Sequence, residues 1–190
     1  MGRVIVSQFI SLDGIVTDPD GSDRTPAGGW AFRHGRGPVE GDKFRLGSIL
    51  DTGVTVFGRT TWELLGRLLS PRTDDFSVRM TKMAKLVASH SLTDVSGWAN
   101  SALIDGDVVD AVRAERESRD VSVVGSLSVV RVLQAADLID EYRLMTFPTI
   151  LGTGERLFPA ADAPIHLQLA STVQNGPAVL TTYERSAGQG

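Results

Sequence analysis

The chain has 190 residues, 42% of them hydrophobic and 22% charged, with a formal net charge of −4, a pI of about 5.3 and a mean hydropathy of zero. This length and composition suit one well-buried globular domain and exclude a disordered chain. The acidic balance argues against a nucleic-acid or anionic-membrane partner. The lack of cysteine removes disulfides, thiolate metal sites and cysteine nucleophiles.

The opening Met1-Gly2-Arg3-Val4-Ile5-Val6 does not read as a signal peptide. No apolar run approaches the roughly 20 residues of a membrane span, so a cytoplasmic protein is expected. Residues 3–12 read as a first strand, ended by the turn signal Asp13-Gly14. Residues 18–41, rich in glycine and proline, form a long loop of the kind that carries function. A helix is expected over 39–50, with Phe44, Leu46, Ile49 and Leu50 as its apolar side.

A strand over 52–57 then leads directly into a helix carrying Trp62, Leu64, Leu65 and Leu68. Short strands follow at 85–88 and 102–104, and an amphipathic helix at 108–119. A strand at 121–124 stops at Gly125, a helix covers 129–136, and a strand at 142–147 is ended by Pro148. Residues 165–171 and 178–184, around Asn175-Gly176-Pro177, read as an antiparallel pair. Strands alternating with helices predict a mostly parallel α/β sheet covered on both faces, and the tail adds an antiparallel edge. Ligands of such sheets bind beyond the carboxyl ends of the strands.

The residues at those ends are therefore the candidates. Gly58-Arg59-Thr60-Thr61 joins a strand to a helix; the helix N-terminus and the guanidinium fork suit a phosphate. The alternative is a surface turn capped by threonine. Ser89-His90-Ser91 offers hydroxyl and imidazole donors, or is a solvated loop. Gly125-Ser126-Leu127-Ser128 repeats the strand-to-helix geometry, with a serine as the alternative N-cap. Asp13 and Asp42 could assist proton transfer or hydrogen-bond a heterocycle, or serve as turn and helix-start residues. There is no Walker motif and no nucleophile elbow, and Gly152-Thr153-Gly154-Glu155 reads as a plain turn. His34, His90 and His166 are scattered without metal-ligand spacing, so no metal is expected.

Val56-Phe57-Gly58-Arg59-Thr60-Thr61-Trp62-Glu63 resembles the segment at which dihydrofolate reductases hold the phosphates of NADPH. Ser11-Leu12-Asp13-Gly14, Val123-Val124-Gly125-Ser126, residues 138–144 followed by 148–154, and the terminal hairpin resemble, in the same order, the reductase half of the riboflavin-biosynthesis deaminase/reductase. The likeness runs from about residue 3 to 185. It implies a single dihydrofolate reductase-like domain over 1–190: a three-layer α/β/α sandwich, mostly parallel, with an antiparallel C-terminal hairpin.

It also implies an NADPH-dependent reductase of a heterocyclic or ribosylaminopyrimidine-type small molecule, and a homodimer. Gly58, Arg59, Thr60 and Thr61 would then bind the NADPH phosphates, and Ser89, His90 and Ser91 would lie by the adenosine end. Gly125, Ser126, Leu127 and Ser128 would cradle the pyrophosphate and nicotinamide side. Asp13 would edge the substrate pocket, and Asp42 would stand near the pterin-binding carboxylate of the folate enzymes. Two residues depart from the family patterns. Ser126 stands where dihydrofolate reductases have the second glycine of a pair, and Val124 where the riboflavin-pathway enzymes have an acid. The zinc-binding deaminase half has no counterpart in these residues. A true dihydrofolate reductase and a non-catalytic nucleotide-binding module are the alternatives.

Overall fold

The computed structural model describes residues 1–159 and 164–186. The elements run β1 (Val4–Ser11), α1 (Ile49–Thr52), β2 (Val54–Gly58), α2 (Arg59–Leu69), α3 (Asp75–Lys82), β3 (Ala84–Ala88), β4 (Ser101–Leu103) and α4 (Val108–Arg116). There follow β5 (Val121–Val124), α5 (Leu127–Ala135), β6 (Glu141–Phe147), β7 (Leu167–Asn175) and β8 (Ala178–Arg185). The strands form one sheet in the order β4-β3-β2-β5-β1-β6-β8-β7. β2 pairs in parallel with β3 and β5, and β3 with β4. β8 pairs antiparallel with β6 and β7, so the mostly parallel α/β sheet with an antiparallel tail is the observed architecture.

The chain forms two compact units, one of residues 1–6 and 45–140, the other of residues 7–44 and 141–190. In the first, Val54, Thr55, Val56 and Phe57 are all buried, as are Val121, Ser122 and Val123. Successive strand residues point to opposite faces, so burial of every one requires cover on both. The cover comes from α2, which packs on β2 and β3 and against α3, and from α5, which packs on β2 and against α4. Trp62, Leu69, Met80, Val112, Val129, Val130 and Leu133 are among the buried residues of these helices. Trp98 stacks on Phe57 at 5.6 Å between ring centroids.

Lys85 is the unusual member of this core, only 1% exposed. Its ammonium donates to the carbonyls of Thr81 at 2.9 Å, Met83 at 2.7 Å and Ala99 at 2.8 Å, and lies 4.6 Å from the Trp98 ring centroid. Three acceptors saturate the three N–H donors of an ammonium, so one side chain ties the end of α3 to the turn before β4. Burial pulls the Lys85 pKa from 10.5 down to about 8.

The second unit holds residues 18–41, an irregular but organised segment with single turns of 3-10 helix at Phe32–His34 and Gly37–Val39. Asp18 organises its first half. Its buried carboxylate accepts from Asp23 N–H at 3.0 Å, Thr25 N–H at 2.9 Å and the Thr25 hydroxyl at 2.8 Å. Burial alone would raise the Asp18 pKa; the hydrogen bonds from Asp23, Thr25 and Gly21 outweigh it and lower the value. Trp30 is buried and donates from its indole to the Thr17 carbonyl at 2.8 Å.

The helix expected over 39–50 is absent. Gly41, Arg45 and Gly47 adopt φ of 61°, 53° and 58°, left-handed values that break a right-handed helix. Only the single turn α1 forms, so Phe44 and Leu46 are buried from a bent segment. The reverse error is α3, which shows no long apolar stripe and is started by Asp74, whose side chain accepts from Ser77 N–H. Among the described residues no helix is long and apolar enough to cross a membrane.

Lys85→Met is expected to lower unfolding stability by about 2 kcal/mol, because buried carbonyls lose their donors faster than removal of the charge compensates. Urea denaturation of the two proteins checks this.

Candidate functional site

The carboxyl ends of β2, β3 and β5 lie on one edge of the first unit. Gly58 pairs with Ala88, and Val56 with Val123, so the three turns that follow these strands are neighbours. Two hydrogen bonds join the β2 and β5 turns. Gly58 N–H donates to Ser126 Oγ at 2.9 Å, and Ser126 N–H donates to Thr61 Oγ1 at 3.2 Å. Gly125 has φ 65° and Ser126 has φ 52° and ψ 57°, so two successive left-handed residues aim the chain into α5. A Cβ on Gly125 would stand 3.1 Å from Thr61 Cγ2, a contact that the turn could not accept without shifting. The departure at Ser126 therefore keeps the left-handed backbone that a glycine would adopt freely. Its αL conformation costs about 1 kcal/mol, offset by the bond from Gly58.

The helix ends differ in a way that marks the site. α3 and α4 are capped by Asp74 and Asp107, whose carboxylates accept from first-turn N–H groups. α2 and α5 begin at Gly58 and Ser126 with no side-chain cap. Ser126 occupies an N-cap position, yet its hydroxyl is spent on Gly58. α2 and α5 thus present first-turn amides and the positive ends of their dipoles without a side-chain cap.

The third turn is attached through Arg59. Its Nη1 donates to Ser91 Oγ at 2.8 Å, and its Nε lies 3.2 Å from Glu63 Oε1, both side chains about half exposed. An ion pair so exposed is worth little, so the guanidinium can turn to a phosphate at small cost. Ser89 Oγ accepts from Ser91 N–H at 3.2 Å and Leu92 N–H at 3.0 Å, which shapes the loop. His90, Thr60 and Ser128 are exposed and Leu127 is half-buried. The structure brings Gly58, Arg59, Thr61, Ser91, Gly125 and Ser126 together through these bonds, and Ser128 Oγ lies 3.4 Å from where a Gly58 Cβ would be.

Asp13 and Asp42 belong to the second unit. Asp13 accepts from Ser11 Oγ at 2.6 Å, Leu151 N–H at 3.1 Å and Gly152 N–H at 2.8 Å, while Arg156 donates to its carbonyl at 2.6 Å. The Ser11 hydroxyl first, then the Gly152 and Leu151 amides, hold the Asp13 pKa down from 3.8 to about 2. Such a carboxylate is ionised at any physiological pH and anchors the loop after β6. Asp42 lies half-buried in a bend rather than at a helix start, a consequence of the left-handed residues around it.

Residue pattern missed an aromatic group in the same unit. Phe9 is the one half-exposed member of β1; its ring centroid lies 5.2 Å from Phe44 and 5.3 Å from Phe147. Lys43 Nζ stands 5.6 Å from the Phe9 centroid, and His34 Nε2 is 2.8 Å from Thr149 Oγ1. Alternation in β1 gave no sign of this, because the partners, Phe44 in the bent segment before α1 and Phe147 at the end of β6, are distant in the chain.

The Asp13 anchor titrates. Its folded pKa is depressed, so its contribution to stability is complete above 3.8 and is lost as pH falls through about 2. The Asp13 carboxyl carbon is expected to titrate in that window by NMR, and Asp13→Asn to flatten the dependence of the melting temperature on pH there.

The family model described as the RibD C-terminal domain matches residues 3–181. An uncharacterized protein of Bacillus subtilis, YyaP, is 24% identical over 177 residues, covering 90% of this chain and 87% of the relative. A crystal structure of a Shewanella sp. PV-4 protein, assigned provisionally to riboflavin biosynthesis, superposes with a TM-score of 0.71 at 24% identity over 97% of this chain and 99% of that one. RibD of Acinetobacter baumannii superposes with a TM-score of 0.63 at 16% identity, over 98% of this chain but 58% of the Acinetobacter chain. These likenesses in structure establish the fold, and the match along the sequence establishes the lineage: the chain belongs to the RibD C-terminal domain family.

Proposed function

We propose that this protein is an NADPH-dependent reductase that delivers hydride to an electrophilic carbon of a nitrogen heterocycle or a ribosylaminopyrimidine-type substrate. The observation that carries the reading is the pair of helices α2 and α5, both lacking a side-chain cap and tied together at their starts by Ser126. The donor set fits a dinucleotide. First-turn amides and the hydroxyls of Thr60, Thr61 and Ser128 suit a diphosphate. Arg59, with Ser89, His90 and Ser91 around it, suits the adenosine end and a 2′-phosphate. Membership of a reductase-domain family supports the same assignment.

NADPH, when bound, supplies the hydride. The chain's own part is to hold the phosphates with Gly58, Arg59, Thr60 and Thr61 and with Gly125, Ser126, Leu127 and Ser128. Asp13, ionised and committed to the loop amides, acts by positioning. The proton that accompanies the hydride then comes from Asp42 or from solvent. Val124 supplies no carboxylate to a substrate, so polar recognition of the ring falls to other residues.

A second reading, a nucleotide-binding module without turnover, is favoured by that commitment of Asp13. The two are separated by titrating NADPH fluorescence and following its oxidation across dihydrofolate, other pterins and ribosylaminopyrimidine phosphates. Oxidation of NADPH with any of them is expected, whereas binding without oxidation of any would favour the module. Arg59→Ala is expected to weaken NADPH by about tenfold or more and NADH by less than about threefold. Equal losses for both cofactors would remove the 2′-phosphate role.

A further inference from the structure

We propose, resting on the reductase reading, that Phe9, Lys43 and His34 form the site for the substrate's ring. The site selects a planar ring carrying a negatively charged oxygen over one carrying a positive charge. β1 inverts the usual pattern of burial: Ser7, Gln8 and Ser11 are buried in it, while Phe9 is its one half-exposed position. Buried polar groups and accessible large apolar ones are the informative exceptions in a folded chain. Here both occur in one strand. The Phe9 ring is held by two buried rings, Phe44 at 5.2 Å and, edge-on, Phe147 at 5.3 Å between centroids. Phe44 is fixed in turn through its carbonyl, which accepts from Arg143 Nη1 at 3.2 Å, and Arg143 is paired with the buried Glu141. A ring already immobilised offers a ligand a stacking surface at little further cost in entropy.

The ligand's charge follows from what surrounds that ring. Lys43 Nζ lies 5.6 Å from the Phe9 centroid and 5.7 Å from the Phe44 centroid, within cation–π range of both. Consecutive residues of a helix do not share a face. The left-handed bend at Gly41 and Arg45 is what lets Lys43 and Phe44 both reach Phe9. His34, half-buried, has its ring centroid 5.8 Å from that of Phe147. Its one hydrogen-bond partner among the described residues is Thr149, met through Nε2, which leaves Nδ1 for a ligand. Small-molecule sites are mostly apolar with a few placed polar groups, and this one joins three rings to an ammonium and an imidazole. A ring bearing an enolate or a deprotonated imide suits both parts: its face covers Phe9, and its oxygen accepts a charge-assisted bond from Lys43. A protonated aminoheterocycle meets a like charge instead. Asp42, next in the chain, would reverse this preference if it were the ring's partner, so charge selectivity decides between them.

NMR titration of the full chain without NADPH, following the ring protons of Phe9 and Phe44, tests the assignment. Two probes of similar size are compared at a pH where one is an anion and the other a cation: barbiturate, a trioxopyrimidine, and diaminopyrimidinium. Barbiturate is expected to bind with a dissociation constant of about 1 mM or tighter, a reasonable affinity for so small a ligand, and at least about tenfold more tightly than the cation. Lys43→Met is expected to weaken barbiturate about tenfold and erase the preference, and Lys43→Arg to retain it, both with an unchanged circular dichroism spectrum. No shift of the Phe9 protons at about 10 mM barbiturate, equal or tighter binding of the cation, or a Lys43→Met variant that binds barbiturate like the wild type would each overturn the proposal. NADPH takes no part in this titration. A protein that binds barbiturate but oxidises NADPH with no substrate would therefore fail as a reductase and not as a ring-binding site, and the converse result would remove the ring site alone.

Discussion

Ser126 accepts a hydrogen bond from Gly58 N–H and donates one to Thr61 Oγ1, and the geometry of the candidate cofactor site depends on that double link. Without it, the turns after β2 and β5 would be two separate strand-to-helix connections. With it, the starts of α2 and α5 are fixed side by side, and the serine that could have capped α5 is occupied elsewhere. The left-handed backbone at Gly125 and Ser126 is what directs the hydroxyl of one turn onto the amide of the other. Strain of about 1 kcal/mol at one residue thus leaves two helix ends uncapped at the edge of the sheet.

The contrast with α3 and α4 gives this weight. Those helices carry aspartates that accept from their own first-turn amides, so the chain has the means to cap a helix with a carboxylate and does not do so at α2 and α5. An anion is the natural complement of what α2 and α5 display, and Arg59 adds a half-exposed positive charge bonded to Ser91 and paired with Glu63.

In the second unit, carboxylates serve the backbone. Asp18 gathers the amides of the long loop, and Asp13 gathers those after β6. A carboxylate that accepts several N–H bonds is stabilised as the anion, so the same bonds that order these loops favour the ionised form of Asp13.

The strand ends and their chemistry were legible in the sequence. β-branched runs closed by Gly58 and Gly125, a strand closed by Pro148, and a hairpin marked by Asn175-Gly176 follow from local backbone preferences, and the residue order carried the family likeness. The helix expected over 39–50 failed because apolar spacing was outweighed by three left-handed residues, one of them the non-glycine Arg45, which no local rule marks. The sequence by itself determined which residues could bind phosphate, because that capacity belongs to residue type and to position at a strand end. Only the tertiary structure decided that the Ser126 hydroxyl would link two turns rather than cap a helix, and that Asp13 would be an anchor. Both outcomes depend on partners 65 or more residues away in the chain, and such partners are chosen by packing, not by local pattern.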